Sequence, residues 1–252
     1  LIFLILIIKY NNRIKKRLSN LWAIKFDKLM FKKILSIGIP SSMQMVFEVV
    51  FFTTAIWLSG LLGENSQSAN QIALNLSSMT FMIASGLGVS AMVRVGNQKG
   101  LRNYVDLRRI SFSILLLGLL LALFFALCFI FLNDLLPYIY IDLNNPLNYE
   151  DNLQVISITS KLLIIAAIYQ ISDTIQVIIL AALRGMQDVK IPTVITFVSY
   201  WLIGFPVSYF LGSEEMLGSQ GIWIGLLTGL TTAAVLLYIR FDILTKKLIL
   251  NN

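Results

Sequence analysis

The stretch Ile110–Leu132, ISFSILLLGLLLALFFALCFIFL, decides the fold because it runs for 23 residues without a charge. As an α-helix it would extend about 34 Å, which is enough to cross the roughly 30 Å hydrocarbon core of a bilayer. Its residues do not alternate between apolar and polar, and it is longer than a barrel strand. A helix is therefore the structure that satisfies its backbone hydrogen bonds in lipid.

The composition of the whole chain agrees with a membrane environment. Of 252 residues, 57% are hydrophobic and 13% are charged, whereas soluble domains carry about 25% charged residues. Histidine is absent and Cys128 is the single cysteine, which excludes an internal disulfide framework and His-based catalytic or zinc sites. The net charge of +7 does not indicate nucleic-acid binding, because the basic residues lie between apolar runs.

Six apolar segments are long enough to span a bilayer, and they predict an all-α, polytopic membrane protein. Residues 34–240 are predicted to form this six-helix transmembrane lobe. The opening run Leu1–Ile8 is too short to cross a membrane, so we interpret it as the end of a preceding helix and the chain as a fragment. The six predicted spans are Ile34–Leu61, Ala69–Val93, Ile110–Leu132, Val155–Leu183, Ile191–Leu211 and Gly218–Ile239.

The charges in the connecting segments predict the topology. The stretch Lys9–Lys33 carries nine Lys or Arg residues against one acid, Asp27. Bases also follow the second, fourth and sixth spans, whereas the segments after the first, third and fifth spans carry acids. Since basic loops stay in the cytoplasm, residues 9–33 are predicted to be a cytoplasmic linker and residues 241–252 a cytoplasmic tail.

Two acids, Glu48 and Asp173, fall deep inside predicted spans. Glu48 lies about 21 Å along the first span from its cytoplasmic end, and Asp173 lies about 15 Å along the fourth span from its cytoplasmic end. A charge at this depth costs roughly 2.5–3.5 kcal/mol, so each carboxyl group needs a proton, a bound cation or a neutral hydrogen-bond network. No Lys or Arg partner is evident at that depth. A site that accepts a proton or a cation is typical of ion-coupled transporters, and a static polar core is the alternative.

Polar neighbours extend the faces on which these acids lie. Gln44 is four residues before Glu48, Tyr169 is four before Asp173, and Gln176 is three after it, so each shares a helix face with its acid. Gln71 and Asn75 form a similar pair on the second span. These four amides are candidates for the lining of a polar cavity.

Two structural features are predicted for the last span. Gly221, Gly225 and Gly229 repeat every four residues, which favours close packing against another helix. Trp223 lies near the end of the span, as do Trp57 and Trp201 in theirs, and this position is typical of interfacial aromatic residues.

Ordered motifs in the chain resemble the multidrug and toxic compound extrusion (MATE) family, in its NorM-like branch. Leu35–Phe52, LSIGIPSSMQMVFEVVFF, is similar to the family's seventh helix, and Ala69–Gly100 is similar to the eighth helix with its following loop. Ile168–Asp188, IYQISDTIQVIILAALRGMQD, is similar to the tenth helix. The segments SYWLIGFPVSYFLG and GIWIGLLTGL are similar to the last two helices.

The resemblance implies a twelve-helix exporter in which this chain is the C-terminal lobe and an N-terminal lobe is its partner. It implies efflux of cationic or amphipathic drugs by antiport with Na+ or H+, with no other cofactor and no enzymatic activity. The cation site of the family falls on Glu48, Asp173 and Tyr169, of which Glu48 and Asp173 would bind Na+. It also implies a multi-pass protein in the bacterial inner membrane, surrounded by lipid.

Three alternatives remain beside the exporter. A lipid-linked oligosaccharide flippase of the same superfamily is expected to line its cavity with bases, whereas the charges deep in these spans are acidic. An intramembrane aspartyl protease pairs adjacent Tyr-Asp with Gly-x-Gly-Asp, and the sequence contains neither motif. A non-transporting membrane scaffold fragment is the third alternative.

Overall fold

A computed structural model describes residues 27–141 and 148–251 of the chain. The predicted helix end Leu1–Ile8 and the greater part of the predicted linker lie outside the described residues. The chain divides into two units between Ile39 and Pro40, and the helical bundle lies in the second unit.

The described residues form helices and contain no β-strand. Six helices are long and apolar enough to cross a membrane, which confirms the all-α, six-helix prediction. Their bounds are α1 Lys28–Leu61, α2 Glu64–Gly100, α3 Tyr104–Phe131, α4 Tyr149–Gly185, α5 Lys190–Leu211 and α6 Ser219–Leu250. A 3₁₀ turn, Leu136–Ile139, follows α3.

Helix α4 is the centre of the bundle. It packs against α2, α3 and α6, and its buried positions run along most of its length. These positions combine apolar side chains with small ones, which lets neighbouring helices approach closely in lipid. The fully buried apolar members include Leu162, Leu163, Ala166, Ile178, Ile179 and Leu183.

Helices α5 and α6 pack backbone to backbone through the predicted glycine face. A Cβ on Gly221 would meet the backbone of Leu211, and one on Gly225 would meet the backbone of Ser208. A Cβ on Gly229 would lie 3.3 Å from the Cα of Gly204. The prediction that these glycines permit close helix packing is therefore confirmed.

Helix α5 is not a regular α-helix throughout. Residues Val198–Gly204 form a π-helical segment between the α-helical parts Lys190–Phe197 and Phe205–Leu211. Pro206 follows directly in the next turn, where its ring cannot donate a backbone hydrogen bond. A π-segment turns side chains to a different face of the helix, and such segments are frequent at functional sites.

Ion pairs link α6 to α3 and to the α4–α5 connection at one end of the bundle. Arg108 of α3 pairs with Asp242 of α6 at 2.5 Å. Arg240 of α6 pairs with Asp188, in the α4–α5 connection, at 2.9 Å. We call the end marked by these four residues the basic end, because the connections predicted to be basic meet there.

Two features differ from the sequence-based expectations. Trp223, predicted to be an interfacial anchor, is fully buried, because its indole nitrogen donates a hydrogen bond to Asn70 Oδ1 at 2.8 Å inside the bundle. Helix α6 does not stop at Ile239 but continues to Leu250. The charges of Asp242 and Lys246, which form an i,i+4 pair at 2.7 Å, support the extra turns.

Candidate cation site

Asp173 lies in the interior of the bundle on α4 with 2% of its surface exposed. Its Oδ1 atom has no hydrogen-bond partner among the residues that the structure describes. Buried carboxylate oxygens without a donor are rare, because the charged form loses its hydration and gains nothing in return. The carboxyl group therefore requires a proton or a cation.

Glu48 and Tyr169 lie close enough to Asp173 to interact with it electrostatically. Glu48 comes from α1 and is partly exposed, whereas Tyr169 is buried one helical turn before Asp173 on α4. The structure thus brings together the three residues that the sequence singles out. Two carboxyl groups from different helices face one region, where a shared cation or proton reduces their mutual repulsion.

Further buried polar groups flank Asp173 on its own helix. Gln170 and Gln176 are three residues before and after it, and each is at most 1% exposed. The side-chain oxygen and nitrogen of both amides lack hydrogen-bond partners within the described ranges. Sequence analysis selected Gln176 and missed Gln170, although its i,i+3 spacing from Asp173 was a usable signal.

The π-segment of α5 adds hydroxyl groups to the same region. Tyr200 is fully buried and interacts electrostatically with Glu48 and Asp173. Its hydroxyl and that of Ser199 have no hydrogen-bond partner among the described residues. Sequence analysis missed both, because apolar hydropathy in a predicted span gives no warning of a π-segment.

Aromatic rings surround this polar cluster. Phe51 stacks on Tyr200 with ring centroids 5.0 Å apart, and Phe52 meets Tyr169 edge-on at 6.2 Å. Trp223 contacts the other side of Tyr169 at 5.6 Å. The rings pack against both tyrosines and give the cluster an apolar surrounding, in which electrostatic interactions are stronger.

Gln44 connects α1 to the basic end of α4. It is 1% exposed, and its Oε1 accepts a hydrogen bond from Arg184 Nε at 3.1 Å. Its Nε2 donates to the backbone carbonyl of Val189 at 3.3 Å. Arg184, at the end of α4, also interacts electrostatically with Glu48.

Gln71 and Asn75 lie apart from this cluster. Both are exposed on α2, and Asn75 Oδ1 accepts a hydrogen bond from the hydroxyl of Tyr140 at 2.7 Å. Of the four amides selected from the sequence, the structure therefore places Gln44 and Gln176 in the interior and the other two on the surface of this chain.

The arrangement suits a small, hard cation or a proton. The available ligands are carboxylate, amide and hydroxyl oxygens, the ligand type that hard cations such as Na+ prefer. No group of three His, Cys, Asp or Glu side chains that could hold a metal ion occurs within residues 27–141 and 148–251. Glu48 and Asp173 are therefore the two carboxyl groups that the cluster offers.

Known bacterial proteins with similar sequences are named multidrug resistance proteins. The MatE family model matches residues 40–210. The chain is 37% identical over 213 residues to the multidrug resistance protein MdtK of Proteus mirabilis (strain HI4320), covering 83% of this chain and 45% of that protein. It is 36% identical over 219 residues to the multidrug resistance protein NorM of Vibrio vulnificus (strain YJ016), covering 85% and 46%.

Solved structures share the fold. The eukaryotic MATE transporter AtDTX14 superposes with a TM-score of 0.77 at 19% identity, covering 96% of this chain and 53% of that one. A multidrug resistance MATE family transporter of the MOP superfamily, in its outward-facing conformation, superposes with a TM-score of 0.76 at 16% identity, covering 89% and 49%. The chain thus spans about half the length of the relatives that it matches. Because the family model covers most of the six-helix bundle, the chain belongs to the MatE family.

Proposed function

We propose that this chain is one lobe of a multidrug exporter that works by secondary antiport. Na+ or H+ enters through the cluster of Glu48, Asp173 and Tyr169, and a cationic or amphipathic drug leaves in exchange. The relatives named as multidrug resistance proteins support the drug as cargo. Coupling requires that the cation and the drug favour opposite conformations of the transporter.

The observation that carries the proposal is the buried Asp173 carboxyl group without a hydrogen-bond donor on Oδ1. A stable, non-transporting bundle gains nothing from such a group, because burying an unsatisfied charge is strongly destabilising. An antiporter needs it, since the group alternates between a loaded and an unloaded form. No comparable observation favours a flippase or a scaffold.

The second lobe, the membrane and the orientation complete the proposal. Because the chain spans about half of its relatives, a second lobe supplies the other wall of the drug cavity. The protein lies in the bacterial inner membrane as a multi-pass protein, with the basic end and the C-terminus in the cytoplasm. Surrounding lipid covers the exposed apolar faces of the helices.

Ethidium efflux from cells expressing the full-length protein tests this function. Wild type is compared with Glu48→Gln and Asp173→Asn, each with and without a Na+ gradient and with and without a proton gradient. We expect wild-type efflux to depend on one of the two gradients and both variants to lose that dependence at normal membrane abundance. Asp151→Asn is the matched control, because Asp151 lies on the same helix, is exposed, and accepts a hydrogen bond from Asn65.

The outcomes separate the candidate functions. Gradient-dependent efflux that survives Asp173→Asn would contradict the site assignment. If cells with correctly inserted wild type retain ethidium, norfloxacin and a second cationic dye, drug export is contradicted. The flippase or the scaffold is then favoured.

A further inference from the structure

Arg184 is a half-buried basic residue that the cation cluster does not explain. It lies in the last turn of α4, 11 residues beyond Asp173, which corresponds to about 16 Å along the helix. Its Nε–H donates to Gln44 Oε1 at 3.1 Å, and Gln44 is itself fixed by the backbone carbonyl of Val189. Arg184 is thereby held against α1 one helical turn from Glu48.

Glu48 interacts electrostatically with one basic group and one acidic group. It is attracted by Arg184 on the side of the basic end, and it is repelled by Asp173 in the interior of the bundle. The other ionisable groups that interact with it are the hydroxyls of Tyr169 and Tyr200. Since a guanidinium group keeps its charge in proteins, Arg184 is the permanent positive charge of this arrangement.

The geometry of the Arg184 side chain leaves donors for Glu48. A guanidinium group carries five N–H donors in a planar fork, and within the described ranges only its Nε–H has an assigned hydrogen bond. The terminal amino groups can therefore approach a carboxylate one turn away on α1, while the link to Gln44 anchors the rest of the side chain.

We propose that Arg184 is a tethered counter-cation that neutralises Glu48 when no coupling ion is bound, and that the coupling ion displaces it. This inference rests on the proposed function and adds a positioning residue to it. In the empty site Glu48 turns toward Arg184, and in the loaded site Glu48 and Asp173 share the ion. Competition by Arg184 keeps the affinity for the ion low enough for release toward the cytoplasm.

The test measures efflux of ethidium by the full-length protein in proteoliposomes, titrated with Na+ at constant pH and with pH at constant Na+. For the ion that supports wild-type efflux, Arg184→Gln should lower the half-saturating concentration at least tenfold, because a competing positive charge is gone. Tenfold corresponds to about 1.4 kcal/mol. The maximal rate should fall, since the ion is released more slowly, and Arg184→Lys should restore both parameters toward wild type.

Arg240→Gln is the matched control. Arg240 lies at the same end of the bundle, but it pairs with Asp188, so its loss should leave the half-saturating concentration unchanged. A role limited to stability would instead lower the amount of active protein in both variants without shifting that concentration.

An unchanged half-saturating concentration in folded Arg184→Gln overturns the inference, whichever ion is coupled. The proposed function survives that result if Glu48→Gln still abolishes ion dependence. If wild-type efflux responds to neither ion, the proposed function fails and the inference fails with it.

Discussion

Adding one methyl group at Gly225 should disrupt the contact between α5 and α6. The Cβ of Gly225→Ala would lie 2.5 Å from Ser208 Cα and closer still to the Ser208 backbone nitrogen, whereas ordinary van der Waals contact begins near 3.4 Å. The obstacle is backbone, which cannot rotate away, so the helices must separate by about 1 Å. Ser208 would also lose its hydrogen bond to the carbonyl of Ile222.

The expected cost is at the upper end of the range for overpacked cores, about 3 kcal/mol. For a lobe of this size that corresponds to a thermal midpoint lower by roughly 6–12 °C. Export should fall as well, because the displaced helix α5 carries Tyr200 in its π-segment. The assay is the midpoint of fluorescence-detected size exclusion after heating, with all variants heated identically, since membrane proteins often unfold irreversibly.

Gly86→Ala on α2 is the matched control. A Cβ there meets no atom within 4 Å, and alanine is favoured over glycine inside a helix by up to about 1 kcal/mol. Its midpoint should equal or exceed that of wild type. If Gly225→Ala unfolds within 1 °C of wild type and of Gly86→Ala, the backbone contact between α5 and α6 does not limit stability, and the reasoning is refuted.

Two further predictions follow from other contacts. Trp223→Phe removes the donor to Asn70 Oδ1 and should cost about 1–3 kcal/mol for the unsatisfied buried oxygen, measured as a lower thermal midpoint, whereas Trp57→Phe at a 60% exposed position should change it little. Green fluorescent protein fused after Asn252 should fluoresce, and alkaline phosphatase fused at the same position should be inactive, because the basic end is proposed to be cytoplasmic. The reverse result would contradict the topology.

The helices could be predicted because lipid imposes strict requirements on a sequence. An uncharged run such as Ile110–Leu132 has few alternatives in a bilayer, since every backbone group must be satisfied within the segment. The same constraint made Glu48 and Asp173 conspicuous, because a deep acid needs a specific reason. Counting residues from the span ends was enough to place both acids at similar depth.

Arg184 was not selected from the sequence because charge alone was used to mark the loops. The prediction ended the fourth span at Leu183 and assigned Arg184 to a connecting segment. In the structure α4 continues to Gly185 and the connection to α5 is only Met186–Val189. A long side chain at a helix end reaches inward as readily as outward, and sequence distance from the span does not indicate which direction it takes.

The π-segment and the buried Trp223 depend on tertiary packing that no local pattern specifies. Trp223 takes an interior position because Asn70, on another helix, supplies an acceptor at 2.8 Å. The π-segment places Tyr200 beside Phe51, whose ring fits against Gly204 and Gly229. Each choice requires partners that are 149 to 178 residues away along the chain, beyond the reach of hydropathy or helical spacing.

The distribution of charge within the bundle has a consequence for transport. Asp173 is buried and interacts electrostatically with the Glu48 carboxyl group, whereas Glu48 is partly exposed and also interacts with Arg184 toward the basic end. In the proposed antiport, a cation that enters from the opposite end would be attracted by the two acids and would then meet the positive charge of Arg184, which would oppose passage toward the cytoplasm. In the proposed mechanism, release on that side requires Arg184 to replace the ion as the partner of Glu48, so that leak of the ion is opposed unless the residues of the site exchange partners.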